Sequence, residues 1–343
     1  MPSTIELGID YGTSNILIYE REKGIIYDEP AVIAYNSRSK KILAIGTEAY
    51  NMIDKAFKDV VVVRPMQSGL IVDFDMAAEL LRLSVLKVIK KGSLFSRPKA
   101  IICLPISINN RDRNELIKIL FDVGMKRTQI IDKTIATCLG AGIKIESQKK
   151  LIVDISGGPT DIVLLSKNGI DAEYTSRNLD TAVSGDSFTR ALINYFVSSE
   201  LFFVDEVTAE NIKKSIGSMF PNPNSPYIDV YGRNKLTYLP VKLRINSSNV
   251  YSSFETPANT LCNFIQVILN NLNSGDSSTV YNNGIYFSGG GSLLNGLDEF
   301  VKKQLGIDVH ISDHPQYDTI LGIGYALENP HDTRNFLDYS GTN

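Results

Sequence analysis

Tryptophan is absent from the chain and cysteine is nearly so. The three cysteines, Cys103, Cys138 and Cys262, are scattered, odd in number and without C-x-x-C spacing, which argues against a disulfide framework or a zinc site and for a reducing cytosol. No apolar run approaches the roughly 18 residues that a membrane-spanning helix needs, and no signal pattern precedes Ile5. Neither export nor a bilayer span is expected. Strong charge is missing too: a net charge of −3 and a pI near 5.8 give no bulk drive toward nucleic acid, so no nucleic-acid partner is expected and any attraction to an acidic surface must come from a local patch. What remains is ordinary in bulk. The 343 residues, 43% hydrophobic and 21% charged, amount to about two domains with a sizeable core.

The informative stretch is residues 5–19, IELGIDYGTSNILIY, an apolar strand ending on Asp10, a glycine turn and a second apolar strand. The pattern returns at residues 151–165, LIVDISGGPTDIVLL, with Asp154 in the place of Asp10. Two such hairpins suggest two related halves. A tight turn of this kind can direct successive backbone N–H groups at an anion, and an aspartate at the strand end suits a hydrated magnesium ion. One hairpin alone is an ordinary β-turn signal. A third element strengthens the pair: residues 284–297, GIYFSGGGSLLNGL, run from a strand into Gly289, Gly290 and Gly291 and then a helix start, and three glycines let a backbone approach a flat ligand.

Between these landmarks strands and helices alternate, which favours a layered α/β fold. Strands are expected at residues 24–27, 31–35, 60–63, 99–104, 129–131, 227–230 and 238–243, and helices at 47–53, 73–91, 110–123, 135–140, 186–196, 208–216 and 259–272. The helix at 73–91 carries Ala77, Leu80, Leu81, Val85 and Val88 at spacings of three and four, with acids early and lysines late. Thr208 is the expected cap of the helix it begins, and the polar residues from Pro330 onward are expected to fray.

Residues 90–99, KKGSLFSRPK, place Leu94 and Phe95 among Lys90, Lys91, Arg97 and Lys99. One reading tucks both apolar side chains under the preceding helix end. The other is a membrane foot, in which the apolar tip enters the headgroup boundary and the basic rim contributes about 1 kcal/mol per charge near anionic lipid.

The chain resembles the MreB family of bacterial actins over nearly its whole length. The resemblance is carried by LGIDYGTSN from Leu7, VVVRPMQSGLIVDF from Val61, IVDISGGPTD from Ile152, TAENIKKSIGS from Thr208 and FSGGGSLLNGL from Phe287. It implies an α/β actin-like fold of two related halves and four subdomains around a nucleotide cleft. Their expected extents are 1–30 with 70–145 and 320–343; 31–69; 146–182 with 246–319; and 183–245. It also implies ATP and magnesium as cofactors, with Asp10 and Asp154 approaching the metal through water. Gly12, Thr13, Ser14 and Asn15, with Gly157 and Gly158, would wrap the phosphates, and Gly185, Glu210, Lys213 and Gly289 to Gly291 would complete the nucleotide site. The implied function is a filament former, self-associating into antiparallel double filaments at the inner face of the cell membrane, bound to anionic lipid through Leu94, Phe95, Lys90, Lys91 and Arg97, and setting cell shape or driving cell-body motility. Other bacterial actin paralogues are the implied protein partners, as for a divergent paralogue of a wall-less helical bacterium. The alternative within the superfamily is a sugar-kinase-like phosphotransferase, for which Asp186 is the nearest candidate base.

Two departures from the family pattern bear on catalysis. Asp132-Lys133-Thr134 stands where the family has Glu-Glu-Pro, so a lysine replaces the carboxylate that orients the attacking water, and a protonated lysine accepts no proton. Pro159 replaces the threonine whose hydroxyl assists that water. Groups of this kind are typically worth 10²–10⁴-fold, roughly 3–5 kcal/mol of barrier. Slow hydrolysis with retained ATP binding is expected, unless Asp132 swings toward the water or Thr160 supplies the missing hydroxyl. Lys133 is open to two further readings, a pairing with the γ-phosphate or a solvated lysine at a helix start.

Overall fold

The computed structural model describes residues 5–53, 58–89, 98–104, 108–144, 148–167, 169–178 and 183–338. The chain forms two compact units, Met1–Lys144 with Gln316–Asn343, and Ile145–Pro315.

The first unit starts with an antiparallel meander, β1 (Glu6–Tyr11), β2 (Asn15–Glu20) and β3 (Gly24–Pro30). A small sheet follows, of β4 (Ile33–Asn36), β5 (Ile42–Ile45) and β6 (Val60–Val63), with α1 (Thr47–Tyr50) beside it. A hairpin of β7 (Met66–Gln67) and β8 (Leu70–Ile71) leads into α2 (Phe74–Val88). The chain then alternates through β9 (Lys99–Cys103), α3 (Asn110–Asp122), β10 (Arg127–Ile131) and α4 (Lys133–Gly140). The second unit repeats the plan: β11 (Lys150–Asp154), β12 (Asp161–Ser166) and β13 (Gly169–Thr175) form its meander, and α5 (Gly185–Ser199) follows. Its small sheet consists of β14 (Phe202–Phe203), β15 (Ile228–Asn234) and β16 (Pro240–Ile245), with α6 (Glu206–Ile216) between the first two. Next come α7 (Ser247–Val250), α8 (Glu255–Asn271), α9 (Ser274–Asn283), β17 (Ile285–Ser288), α10 (Leu297–Leu305) and β18 (Val309–Ile311). The chain ends in the first unit with α11 (Asp318–Glu328) and β19 (Leu337–Asp338).

The main sheets are laid out alike. One reads β3–β2–β1–β9–β10 with β19 added at the far edge, the other β13–β12–β11–β17–β18. In both, two antiparallel pairings precede two parallel ones. The related halves expected from the two hairpins are therefore present in the topology. Central strands such as β11 and β12 are buried along almost their whole length, as strands covered on both faces must be, and this is why they read as unbroken apolar runs.

Helix α2 shows how sequence becomes packing. The Asp73 carboxylate caps it by accepting the Met76 N–H at 3.1 Å, and Ala77, Leu80, Leu81 and Val85 lie buried on one face. Two tyrosines of the sheet reach it: Tyr11 donates to the Ala77 carbonyl at 2.8 Å, and the Tyr27 and Ser84 hydroxyls are 3.2 Å apart. Burial raises the phenols of both tyrosines, so both stay protonated as donors.

Several expectations need correction. Helix α6 begins at Glu206 with Asp205 as its cap, whose carboxylate accepts the Thr208 N–H at 2.6 Å; an Asx cap three residues upstream displaces Thr208 into the first turn. Residues beyond Pro330 do not all fray, since β19 pairs antiparallel with β10 and Thr333 is fully buried. The triple glycine does not start an α-helix: a 3-10 turn, Gly290–Leu293, intervenes before α10. Lys99 opens β9 and sits 2.8 Å from the Glu6 carboxylate. Lys90, Lys91, Leu94, Phe95 and Arg97 lie outside the described residues.

Helix α11, with Gly322 and Gly324 inside it, contradicts simple propensity, and its packing explains why. A β-carbon on Gly140 of α4 would lie 1.7 Å from the Asp318 carbonyl oxygen, and one on Gly322 would lie 1.7 Å from that of Ala136. The two helices touch backbone to backbone. Alanine at either position is expected to destabilise the protein by more than about 3 kcal/mol in chemical denaturation, beyond ordinary overpacking, whereas Gly275→Ala in α9, where the nearest atom is 3.4 Å away, is expected to be neutral or slightly stabilising.

Candidate functional site

In the first unit, Gly12, Thr13 and Ser14 join β1 to β2. Gly12 donates its N–H to the Asn15 carbonyl at 3.0 Å and Ala31 donates to the Ser14 carbonyl at 2.8 Å, which braces the turn at both ends. The N–H groups of Thr13 and Ser14 meet no acceptor among the described residues. That is the requirement for an anion nest. Two side chains are otherwise engaged: the Thr13 hydroxyl accepts the Gly69 N–H at 3.1 Å and the Asn15 amide donates to Asp28 at 2.8 Å. The turn therefore offers an anion backbone N–H groups, with Asn15 as a brace. Asp10, half-buried, holds the penultimate place of β1 between Leu17 and Cys103.

The same unit holds one of the two departures, Lys133. Asp132 caps α4, one carboxylate oxygen accepting from Thr134 at 2.8 Å and Ile135 at 3.2 Å. Swinging it toward a water removes that cap, at a cost of about 0.5–2 kcal/mol. Lys133 is the first residue of α4, whose first turn holds no acid. A cation is disfavoured there by the helix dipole, by about 0.3–1 kcal/mol. The Asp132 carboxylate at the cap offsets that cost.

In the second unit, Asp154 ends β11, 8% exposed, in register with Asp161 and Ser288. The N–H groups of Gly157 and Gly158 meet no acceptor among the described residues, repeating the feature of the first unit. The rest of this turn is laced to the start of α5: Gly185 donates to the Ser156 carbonyl at 2.8 Å, Pro159 pairs with Ser184, and Thr160 donates to the Val183 carbonyl at 3.0 Å and the Ser176 hydroxyl at 2.9 Å. Thr160 itself is fully buried, and its hydroxyl has no partner among the described residues. Asp10 and Asp154 belong to no cluster of three or more potential ligands among the described residues, so a cation beside them would be held chiefly by phosphate and water, as magnesium often is.

The three glycines do not play the same part. A β-carbon on Gly289 would sit 2.4 Å from the Asp154 carboxylate and 2.5 Å from the Ile155 carbonyl oxygen, and one on Gly291 would meet the Ile155 side chain at 2.4 Å. Close packing on the end of β11 accounts for both, while Gly290 between them is exposed. Beside it in sequence order the Gly289 N–H donates to the Pro315 carbonyl at 3.0 Å.

Glu210 and Lys213 of α6 form a tight pair at 2.7 Å. Lys213 also donates to the Gly185 carbonyl and the Thr189 hydroxyl, each at 2.9 Å, which matches all three of its donors. Lys213 therefore ties α6 to α5 instead of presenting a donor to a nucleoside. Thr189, which also donates to Glu210, joins both, and sequence reasoning missed it; its only signal is the four-residue step from Gly185. Burial pushes the Glu210 carboxyl up, but Lys213, the Thr189 hydroxyl and Lys214 outweigh it and hold the group below its ordinary value of 4.5. Asp186 is a first-turn acid of α5, the role in which it complements the helix dipole.

A depressed folded value means that the pair's contribution is present at neutral pH and is lost as the pH falls below 4.5. Denaturation of the wild type and of Glu210→Gln is expected to differ at pH 7, with the gap closing toward pH 3.

Among the described residues no helix is long and apolar enough to cross a membrane. The family model described as MreB/Mbl protein matches residues 4–335. The cell shape-determining protein Mbl of Bacillus subtilis is 31% identical over 325 residues, covering 94% of this chain and 96% of its own. The cell shape-determining protein MreB of Escherichia coli is 30% identical over 328 residues, covering 94% and 93%. Among solved structures, MreB 5 of Spiroplasma citri bound to AMPPNP superposes with a TM-score of 0.87 at 25% identity, over 98% of this chain and 99% of that one. A MamK double helical filament shares the fold at 20% identity, with a TM-score of 0.74 over 95% of this chain and 99% of that one. With two related units, matching strand-end aspartates and the family match across nearly its whole length, the chain has the actin-like fold and belongs to the MreB/Mbl family.

Proposed function

We propose that the protein binds ATP with magnesium, polymerises with copies of itself into membrane-associated filaments and hydrolyses ATP slowly, serving cell shape or cell-body motility. The observation that carries the nucleotide reading is the repeated turn: two N–H groups without acceptors among the described residues at residues 13–14 and again at 157–158, each behind a strand-end aspartate. An MreB 5 of Spiroplasma citri has been solved with both AMPPNP and ADP, which supports the same ligand class here. The turns would donate to phosphate oxygens, Asp10 and Asp154 would hold magnesium through water, and the metal would supply screening of the phosphate charge. Membership of a family of cell shape-determining proteins supports self-association.

Slow turnover follows from the chemistry of two positions. Lys133 donates where a carboxylate would accept, and Pro159 has neither hydroxyl nor N–H. The two substitutes are poorly placed, because Asp132 is committed to its helix cap and Thr160 is fully buried. A pairing of Lys133 with the γ-phosphate would make ATP a tightly held conformational ligand.

Phosphate release per protomer under polymerising conditions tests this. The natural chain is expected to be slow and Lys133→Glu combined with Pro159→Thr faster by roughly 10²-fold or more; equal rates would overturn the assignment. For the membrane foot, changing Leu94 and Phe95 to serine is expected to reduce co-sedimentation with liposomes containing anionic lipid, and unchanged binding would sink it.

A further inference from the structure

The chain passes between the two units at Pro315 and Gln316, and the residues flanking that point are fastened to the Ser288–Gly289 segment on one side and to the first candidate turn on the other. On the second-unit side, the Pro315 carbonyl accepts the Gly289 N–H at 3.0 Å and lies 3.4 Å from the Ser288 hydroxyl. On the first-unit side, Tyr317 donates its phenolic hydrogen to one oxygen of the Asp28 carboxylate at 2.9 Å. The other oxygen of Asp28 accepts the Asn15 amide at 2.8 Å, and the Asn15 carbonyl accepts the Gly12 N–H that closes the first phosphate turn, at 3.0 Å. A continuous path of three hydrogen bonds therefore runs from Tyr317 through Asp28 and Asn15 to Gly12.

Each link is chemically specific. The two oxygens of Asp28 each take one donor, so the carboxylate orients the phenol and the amide together, and bonds to an ionised acceptor are stronger than neutral ones. The bond to Asp28 comes first among the causes that raise the Tyr317 phenol above its ordinary value, followed by burial, so Tyr317 remains a donor at any physiological pH. Asn15 and Asp28 are not neighbours in the strand register, where Asn15 faces Pro30 and Asp28 faces Leu17. Their side chains span that offset, and Tyr317 arrives from 289 residues away in sequence.

We propose that Tyr317 is a positioning residue for nucleotide binding: acting through Asp28 and Asn15, it couples the covalent crossover at residues 315–317 to the phosphate turn at residues 12–14. The inference rests on the nucleotide reading above and adds the residue that links the crossover to the turn. It makes binding sensitive to a phenol that needs no contact with the nucleotide.

The test measures AMPPNP affinity of the full chain for wild type, Tyr317→Phe, Asp28→Ala and the double variant, with Tyr325→Phe as control because Tyr325 is exposed on α11. Thermal midpoints without nucleotide are recorded alongside. Tyr317→Phe is expected to weaken AMPPNP binding several-fold while the nucleotide-free midpoint and the Tyr325→Phe affinity stay at wild-type values. Asp28→Ala is expected to weaken it at least as much, and adding Tyr317→Phe to Asp28→Ala should change nothing further, since the path is already cut. Wild-type affinity in Tyr317→Phe, or additive losses in the double variant, overturns the inference while leaving nucleotide binding intact. If the wild type itself binds no AMPPNP, the underlying reading falls and the inference with it.

Discussion

Between Gly140 and Gly322 there is no room for a β-carbon, and the first unit is built around that crossing. Helix α11 can lie against α4 only because both backbones are bare at the point of contact. The Thr137 and Thr319 hydroxyls, 2.9 Å apart, fix the register of the two helices beside the crossing. The start of α4 is thereby held at the end of β10, which places the Asp132 cap and Lys133. The same helix, α11, follows directly on the crossover that carries Tyr317. Structural tightness and candidate chemistry share one pair of helices.

The second unit reaches a comparable fixity by other means. Its ligand turn is held by hydrogen bonds to the start of α5, and α5 is held to α6 by Lys213, whose ammonium joins a carboxylate, a hydroxyl and a helix-start carbonyl. Half-buried ion pairs are costly unless every donor is matched. Here all are, and the outcome is rigid support behind the turn, with Glu210 keeping its negative charge to low pH.

The altered pair gains meaning from these surroundings. A lysine at the first position of a helix is unfavourable by itself, and a proline in a phosphate turn removes a donor. Either change alone is a small local loss. Together they remove the acceptor and the hydroxyl that the family pattern places around a water, while leaving untouched the N–H groups proposed to hold phosphate. On the proposed reading, binding and hydrolysis depend on different atoms, so one can be retained while the other is attenuated.

The sequence by itself determined the doubled plan. Strand-end aspartates, glycine turns and apolar runs are local patterns, set by period and by the backbone freedom of glycine, so both hairpins, most helices and the family were legible from them. The expectations for Asp10, Asp154, Gly12, Gly157 and Gly158 rest on these patterns. The tertiary structure alone decided which side chains remain available. Thr13, Asn15 and Lys213 look like ligand groups in the sequence, yet the Thr13 hydroxyl accepts from Gly69, the Asn15 amide donates to Asp28 and the Lys213 ammonium serves the α5–α6 contact. Gly289 and Gly291 look like ligand-approach glycines and serve packing on Ile155. Asp28, Thr189 and Tyr317 carry no motif at all. Their roles depend on partners up to 289 residues distant, and pairing at that separation is fixed by the fold, where no spacing rule along the chain can register it.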